Sequence, residues 1–402
     1  MSLRKYRTLI VVSHPVQYAA PIFRVMAQHP KLELLVAYCS LQGAEPGIDA
    51  EFGVEVAWDI PLLDGYPWIE MPNVSPKPGL GRFFGLLNLQ LWNLIRTSQF
   101  DAVLIHTGYV YASFWIVAAA AKTSRTLFMF STDASSLQPR DRKQWKARLK
   151  PVVLPPIFRL ADAIVVSSTL GQQLVRGLGI PEQQIVLAPS AVDNQWWSSQ
   201  AARVDKKLVR QQWGVPEDAP VVLFCAKLQP WKRPQDILQA FAIANVPGTY
   251  LVFAGDGSLR RELEADAKAL NVSERVRFLG FVNQSQLPAV YRASDLFVLP
   301  SEYEPFGLVV NEAMLCGCPV VVSDRVGARY DLIREGETGL VYSCGNVDAL
   351  AAILQNLLCD RVRLRQMGEA AYKRMETWSP REYVEAFVQA IETLQLSRHH
   401  HS

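Results

Sequence analysis

Short apolar runs alternate with helical stretches along this chain, and the alternation occurs twice. In the first half the apolar runs cover residues 8–12, 34–37, 102–105, 126–130 and 163–166. In the second half they cover residues 221–225, 250–254, 276–279, 296–299 and 319–322. Strands that are apolar on both faces and separated by helices are typical of parallel sheets in doubly wound α/β domains. The pattern therefore predicts two Rossmann-like domains that face each other across a cleft.

The length of the chain supports the same division, because 402 residues exceed what one ordinary hydrophobic core organises. We predict an N-terminal domain over residues 1–195 and a C-terminal domain over residues 196–379, with the polar stretch 188–215 as the linker. A helical pattern over residues 380–398 follows a Ser-Pro break and is predicted to pack back on the first domain. In such domains the loops at the carboxyl ends of the strands point into the cleft.

Composition narrows the class of protein. Half of the residues are apolar, one fifth are charged and the net charge is +3, which gives no general argument for nucleic acid binding. No apolar run reaches the roughly 18 residues that span a bilayer, and the longest, residues 109–121, better suits a buried helix. The N-terminus lacks a signal-peptide pattern, and the six cysteines lack metal-ligand spacing. We therefore expect a reduced, cytoplasmic protein.

Two glutamates, Glu304 and Glu312, bracket the segment with the strongest indication of function. The segment follows an apolar strand and opens a predicted helix, so Glu304 lies in the connecting loop and Glu312 about two turns into the helix. At 1.5 Å per residue they are at most roughly 12 Å apart along the axis, which suits the two polyol ends of a sugar nucleotide. The N–H groups of Phe306, Gly307 and Leu308 lie at the helix N-terminus, where anions bind. A surface helix with two acids is the alternative.

Three other loops of the second half follow strands and carry residues suited to the same ligand. Lys227 and Lys232 are able to neutralise a diphosphate and stabilise it as it leaves, although a solvated charged loop is the alternative. Gly255 belongs to a Gly-Asp-Gly turn that permits unusual dihedral angles. Phe281 follows another strand and is either a nucleobase contact or a core residue. The four loops together, in this order, are far more specific than any one of them.

These motifs give the second half a strong resemblance to the donor-binding domain of retaining glycosyltransferases of family 4, which have the GT-B fold. The resemblance rests on AKLQPWKRPQDILQAF, FAGDG, VRFLGF and PSEYEPFGLVVNEAMLCGCPVVVSDRVG. It covers residues 220–345 strongly and the first half only weakly.

The resemblance implies a role for each matching side chain. Lys227 and Lys232 would bind the donor diphosphate, Glu304 would hold hydroxyls of the transferred sugar, and Glu312 would hold the ribose hydroxyls. The N–H groups at the helix N-terminus would contact sugar and phosphate. Lys227 stands where the family has an arginine after a glycine, a departure that keeps the charge and loses the planar fork.

Three strand ends in the first half carry further candidates. His106 resembles the strand-end histidine of the family, which lies near the anomeric carbon and hydrogen-bonds the sugar. His14 follows the first strand, where many family members have a glycine-rich turn. Either it contacts a phosphate or the acceptor, or it has a local capping or packing role. Asp133 is a candidate acceptor contact.

Residues 140–150 contain six Lys or Arg residues and Trp145. A solvated helix face is one explanation of this segment. The other is a surface that attracts anionic lipid headgroups or a phosphorylated acceptor, which would make the protein peripheral to the inner face of a membrane.

The resemblance implies transfer of a hexose-type sugar from a UDP- or GDP-sugar to a hydroxyl acceptor with retention of configuration, in glycan, polysaccharide or glycolipid synthesis. The chain offers no obvious pair of carboxylates for a nucleophile and an acid, which is consistent with a front-face route. No metal or cofactor is expected besides the nucleotide sugar, since the sequence has no Asp-x-Asp motif. A sugar-nucleotide epimerase of the same architecture and a non-catalytic sugar-nucleotide-binding protein remain as alternatives.

Overall fold

The computed structural model of the protein describes residues 4–44, 47–49, 54–56, 58–137 and 144–400. Its strands are β1 (Tyr6–Val12), β2 (Leu32–Tyr38), β3 (Gly47–Asp49), β4 (Val54–Val56), β5 (Trp68–Glu70), β6 (Ala102–Ile105), β7 (Leu127–Thr132), β8 (Ala163–Val166), β9 (Ile185–Leu187), β10 (Val221–Cys225), β11 (Tyr250–Ala254), β12 (Val276–Gly280), β13 (Leu296–Leu299), β14 (Val320–Ser323) and β15 (Gly339–Tyr342).

The helices are α1 (Ala20–Gln28), α2 (Gln90–Thr97), α3 (Ala112–Thr123), α4 (Gln144–Phe158), α5 (Thr169–Gly177), α6 (Asn194–Ala202), α7 (Lys206–Gln212), α8 (Pro234–Ala244), α9 (Arg260–Ala269), α10 (Leu287–Ala293), α11 (Leu308–Leu315), α12 (Arg329–Leu332), α13 (Val347–Leu358), α14 (Arg361–Arg374) and α15 (Pro380–His400).

The chain forms two compact units. The first consists of Met1–Glu45, Pro61–Ala191 and Ser379–Ser402, and the second of Pro46–Ile60 and Val192–Trp378. The chain therefore passes from the first unit to the second after Ala191, four residues before the boundary expected from the sequence. Within residues 46–60, which were predicted to belong to the first domain, the described strands β3 and β4 group with the second unit.

The first unit is built on a seven-stranded parallel sheet in the order β5-β2-β1-β6-β7-β8-β9. One face packs against α2 and α3, the other against α1 and α15, so its central strands are buried on both sides. Helix α15 contributes Phe387 and Ile391, both fully buried, to the cluster that contains Phe23 of α1. This spacing of four residues places both side chains on one helix face.

The second unit is built on a six-stranded parallel sheet in the order β12-β11-β10-β13-β14-β15. All strands predicted for both halves are present, which confirms two doubly wound, Rossmann-like α/β domains. The prediction omitted the short strands β5, β9 and β15, and also the pair β3 and β4, which are antiparallel to each other.

The prediction that residues 188–215 form a linker is wrong, because most of these residues are helical and packed. Helix α6 begins after Asp193, whose carboxylate accepts the N–H of Trp196 at 2.9 Å, and α7 begins after Asp205, which caps it in the same way. Trp197 and Arg210 are only 1% exposed. Ser, Asn and Asp are common both in loops and at helix N-caps. The polar residues of this stretch therefore suggested a linker, whereas two of them, Asp193 and Asp205, are the N-caps of helices.

Asp193→Ala is expected to lower the free energy of unfolding of the second unit by about 1 kcal/mol, because it removes the N-cap of α6. Urea denaturation followed by tryptophan fluorescence will measure this. Asp218→Ala removes an exposed carboxylate and serves as the control, with an expected change below about 0.5 kcal/mol. An unchanged midpoint for Asp193→Ala would contradict the capping role.

Two further predictions concern the apolar segment 109–121 and the basic segment 140–150. Residues 112–121 of the apolar run 109–121 form most of α3, and Phe114 and Val117 are fully buried, as predicted for a buried helix. In the part of the chain that the structure describes, no helix is both long and apolar enough to cross a membrane. The basic segment 140–150 lies partly outside the described residues, and its lipid or acceptor contact stays a prediction.

Candidate functional site

Helix α11 begins at a glycine that the geometry requires. Gly307 is its N-cap and has φ of 102°, a conformation that other residues rarely adopt. A Cβ at this position would lie 3.1 Å from the Cγ of Glu304 and 3.3 Å from Leu299. Among the described residues, no hydrogen bond uses the N–H of Phe306, Gly307 or Leu308. These three donors and the helix dipole make the N-terminus of α11 suited to an anion.

The loop before α11 is fixed by the segment that follows β14. The N–H of Gly327 donates to the carbonyl of Glu304 at 3.0 Å, and the N–H of Ala328 donates to the carbonyl of Phe306 at 2.8 Å. A Cβ on Gly327 would lie 1.9 Å from the carbonyl oxygen of Pro305. The close approach therefore requires a glycine, and it holds the loop in one conformation.

Lys232 and Glu304 form an ion pair beside this helix start. Lys232 ends a short turn after β10, and its Nζ donates to Oε2 of Glu304. The side chains are 18% and 13% exposed, so the pair is partly sheltered from water and keeps access to it. Lysine has three N–H donors, which leaves donors for a ligand beside Glu304.

Glu312 is the fifth residue of α11 and lies little more than one turn into the helix, rather than the two turns expected. Its side chain is buried. Tyr291 donates its hydroxyl to Oε2 of Glu312 at 2.9 Å, and Gln284 forms a second hydrogen bond to the carboxylate. Burial raises the pKa of Glu312 from 4.5 to about 7, and the two hydrogen bonds oppose that rise.

The glycine turn after β11 supports the lysine loop. Gly255 has φ of 142°, and a Cβ there would lie 2.1 Å from the carbonyl oxygen of Ala226. Its N–H donates to the carbonyl of Gly280 at 2.8 Å, so it joins the ends of three neighbouring strands. Lys227 follows Ala226 and is partly buried. Phe281 is also partly buried.

In the first unit, His106 follows β6 and lies next to the C-terminal helix. Its Nε2 is 3.4 Å from the hydroxyl of Tyr383 on α15, and its ring packs edge-on against Phe23. Burial lowers the pKa of His106 to about 4, so the imidazole is neutral at pH 7. A neutral imidazole donates with one nitrogen and accepts with the other.

Asp133 lies in the same neighbourhood, because its charge raises the pKa of both Tyr18 and Tyr383 in addition to the larger effect of burial. The Asp133 side chain reaches solvent, yet surrounding protein raises the pKa of its carboxyl, against a hydrogen bond from Ser167. His106, Tyr383, Asp133 and Tyr18 thus form a polar cluster at the carboxyl edge of the first sheet.

His14 follows β1, the strand beside β6. Its Nδ1 is 2.9 Å from the hydroxyl of Ser13, and burial lowers its pKa. This contact is local, and a phosphate or acceptor contact for His14 stays a prediction.

Two family models match the chain, one in each half. Residues 5–191 match the glycosyl transferase 4-like domain, and residues 205–374 match the glycosyl transferases group 1. The chain belongs to the group 1 glycosyltransferases. The family assignment made from the motifs of the second half is confirmed, and the first half of this glycosyltransferase, where the resemblance was weak, matches a glycosyltransferase domain model of its own.

Curated relatives agree with the family. The D-inositol 3-phosphate glycosyltransferase of Rhodococcus opacus is 27% identical over 374 residues, which is 87% of this chain and 82% of that protein. An uncharacterized glycosyltransferase of Methanocaldococcus jannaschii is 31% identical over 204 residues, half of this chain. The chain spans about half the length of that archaeal relative, 52%.

Solved structures show the same GT-B fold. Anabaena HepE in complex with UDP aligns with a TM-score of 0.73 at 20% identity, covering 96% of this glycosyltransferase and all of that chain. The sucrose-phosphate synthase of Thermosynechococcus elongatus aligns with a TM-score of 0.66 at 20% identity, covering 98% of this chain and 99% of that one. HepE has also been solved with UDP-glucose.

The structure brings part of the predicted site together. Lys232 and Glu304 are in contact, and the side chain of Glu304 lies beside Gly307 at the start of α11. Glu312 lies on the same helix. The roles assigned to these side chains, and the diphosphate contact assigned to Lys227, stay predictions. Within the described residues, no group of three or more His, Cys, Asp or Glu side chains has a metal-binding arrangement.

Sequence reasoning missed five residues around the candidate sites of the two units: Tyr291, Gln284, Gly327, Tyr18 and Tyr383. Gly327 lies inside a motif that carried the family resemblance. The sequence does not show that it packs against the loop before α11. Tyr291 and Gln284 reach Glu312 from about twenty-one and twenty-eight residues earlier in the chain. Tyr383 comes from the last helix, whose packing was predicted without the residue that reaches His106.

Proposed function

We propose that this glycosyltransferase moves a hexose-type sugar from a nucleoside diphosphate sugar to a hydroxyl acceptor with retention of configuration. The observation that carries the proposal is the Lys232–Glu304 pair at the N-terminus of α11. A cation and three backbone N–H groups favour a diphosphate there, and the adjoining carboxylate accepts hydrogen bonds from sugar hydroxyls. No other cofactor is part of this proposal.

The buried carboxylate of Glu312 suits the ribose of the same donor. A ribose diol offers two O–H donors, and an ionised carboxylate accepts both. Anabaena HepE, whose fold this chain shares, has been solved with UDP and with UDP-glucose. These complexes support a uridine donor as the first to test, and a guanosine donor offers the same ribose and diphosphate.

In the proposed reaction the bond between the anomeric carbon and the leaving phosphate oxygen breaks, and a bond from that carbon to the acceptor oxygen forms on the same face. The acceptor proton passes to the leaving phosphate oxygen, so no protein base is needed. Lys232 and Lys227 stabilise the charge that grows on the diphosphate. No resident metal is needed for that stabilisation.

The first unit would supply the groups for the sugar and the acceptor. His106 is neutral at pH 7, so it would act as a hydrogen-bonding group rather than as a cation. Asp133 accepts hydrogen bonds from hydroxyls. The matched relatives named D-inositol 3-phosphate glycosyltransferases make a phosphorylated polyol one acceptor to include beside sugars and lipid-linked sugars.

A thermal-shift panel of UDP- and GDP-sugars tests the donor first. A ligand at 100 times its Kd raises the stability of the folded state by about 2.7 kcal/mol. The donor that binds is then assayed with a panel of acceptors, and the anomeric configuration of the product is read by NMR. Turnover is expected to survive EDTA.

Three results would overturn parts of the proposal. The absence of a shift with every nucleotide sugar would overturn the donor site. An inverted product would overturn the front-face route. Loss of activity in EDTA that returns with a divalent cation would overturn metal independence.

A further inference from the structure

Tyr291 on α10 is fully buried, and its ring is enclosed by two others. The ring centroids of Trp197 and Phe297 lie 5.9 Å and 5.7 Å away, both in edge-to-face contact. A flip of the phenol ring leaves the hydroxyl on its axis, so the enclosure fixes the oxygen. The hydroxyl therefore points to one place in the interior of the second unit.

That place is the carboxylate of Glu312. The Tyr291 hydroxyl lies 2.9 Å from Oε2 of Glu312, and it also interacts with the thiol of Cys225 on β10. Burial raises the pKa of Tyr291 well above its ordinary value, so the phenol keeps its proton. In the structure this proton is donated to Oε2 of Glu312.

We propose that Tyr291 is a positioning residue for the nucleotide, holding one oxygen of Glu312 so that the carboxylate presents its remaining lone pairs to the ribose diol. This inference rests on the proposed function of Glu312. A glutamate side chain has three rotatable bonds, and fixing one oxygen removes much of that freedom before the ligand arrives. Gln284 holds the same carboxylate from the loop after β12.

The surroundings of Glu312 make this bond important for its charge. The groups that face it are Tyr291 from α10, Gln284 from the loop after β12, Cys225 from β10 and Cys316 at the end of its own helix. Burial raises the pKa of both thiols, Cys225 to about 12, so both are neutral at pH 7. Among the described residues, none of these groups is a cation that would favour the carboxylate. Hydrogen bonds are what favour its ionised form.

The test is the affinity for UDP, with GDP in parallel, measured by calorimetry between pH 5.5 and 9 for wild type and Tyr291→Phe. Phenylalanine keeps the enclosed ring and removes the donor. We expect the acid limb of the binding profile to move up by about one pH unit. Affinity should fall at least about fivefold at pH 7, and a smaller loss should remain near pH 9, because the ionised carboxylate is then no longer held in place.

Tyr342→Phe is the matched control. Tyr342 is also buried in the second unit, on β15, and its hydroxyl has no hydrogen-bond partner among the described residues. Its profile should coincide with that of wild type, and the titration of UDP itself is common to all three proteins.

The outcomes separate the two levels of the proposal. If wild type binds UDP or GDP and Tyr291→Phe shows the same profile, or a loss that is equal at every pH, the positioning role is wrong and the proposed function stands. If wild type binds neither nucleotide, the proposed function is wrong, and the inference falls with it.

Discussion

Replacing Lys232 by methionine is expected to lower turnover by roughly 10²- to 10³-fold, because the reaction loses one cation that stabilises the departing diphosphate. Methionine keeps most of the apolar stem, so packing changes little. The measurement is a steady-state assay with the donor found by thermal shift. Lys207→Met, which removes a lysine that is 67% exposed on α7, is the control and should keep full turnover.

The same substitution has a structural effect that must be separated from the chemical one. It leaves the carboxylate of Glu304, 13% exposed, without its cation, at an expected cost of about 1–3 kcal/mol. Glu304→Gln added to Lys232→Met should recover the melting temperature but not the affinity for UDP, because the amide restores no cation for the diphosphate. Glu304→Gln alone should bind UDP nearly as well as wild type. Recovery of UDP affinity in the double variant would show that Lys232 serves only stability.

The two sheets could be predicted from the sequence because strands that are buried on both faces consist of consecutive apolar residues. Each central strand, such as β1, is a run of apolar residues between polar ends, and the run is visible without any tertiary information. The short edge strands β5, β9 and β15 were missed because three or four residues at a sheet edge do not need to be apolar throughout. Their partner strands, rather than their composition, decide that they are strands.

The loops of the second unit could be predicted for a similar reason. Gly255 and Gly307 occupy conformations that favour glycine, so the residue type itself carries the geometry. Lys232 and Glu304 were recognised as separate contacts, one for phosphate and one for sugar. Their direct pairing depends on how a turn after β10 packs against a loop after β13. Neither segment alone predicts that contact.

The surroundings of the candidate site residues were least predictable. Tyr291 reads as an ordinary core aromatic in a helix pattern, and only the fold shows that its hydroxyl reaches Glu312. Likewise, His106 reads as a strand-end histidine, and its neutral state follows from burial beside α15. The charge state of a side chain depends on neighbours that are distant in sequence. Local sequence patterns do not identify those neighbours.

Glu312→Gln is expected to weaken UDP binding at pH 8 by roughly 30- to 100-fold, because it removes the charge that accepts hydrogen bonds from the ribose diol. The amide keeps an oxygen for Tyr291, so the fold around it should persist. Calorimetry at pH 8 measures the loss. Glu369→Gln, at an exposed position on α14, is the control and should bind UDP as wild type does. Undiminished binding by Glu312→Gln would contradict the ribose role.

Stability should change in the opposite direction from binding. The Glu312 carboxyl ionises near pH 4.5 in the unfolded chain and near about 7 in the folded one. Between these values the unfolded state has lost a proton that the folded state keeps, so wild-type stability falls as pH rises from 4.5 to about 7, and this contribution is constant above. Glutamine does not ionise and escapes the loss. Glu312→Gln should therefore melt at a higher temperature than wild type at pH 8, by the equivalent of about 1–3 kcal/mol, and the advantage should shrink toward pH 5. A difference that is the same at both pH values would show that the wild-type carboxylate carries no buried charge, and that the ribose site is not maintained at the expense of stability.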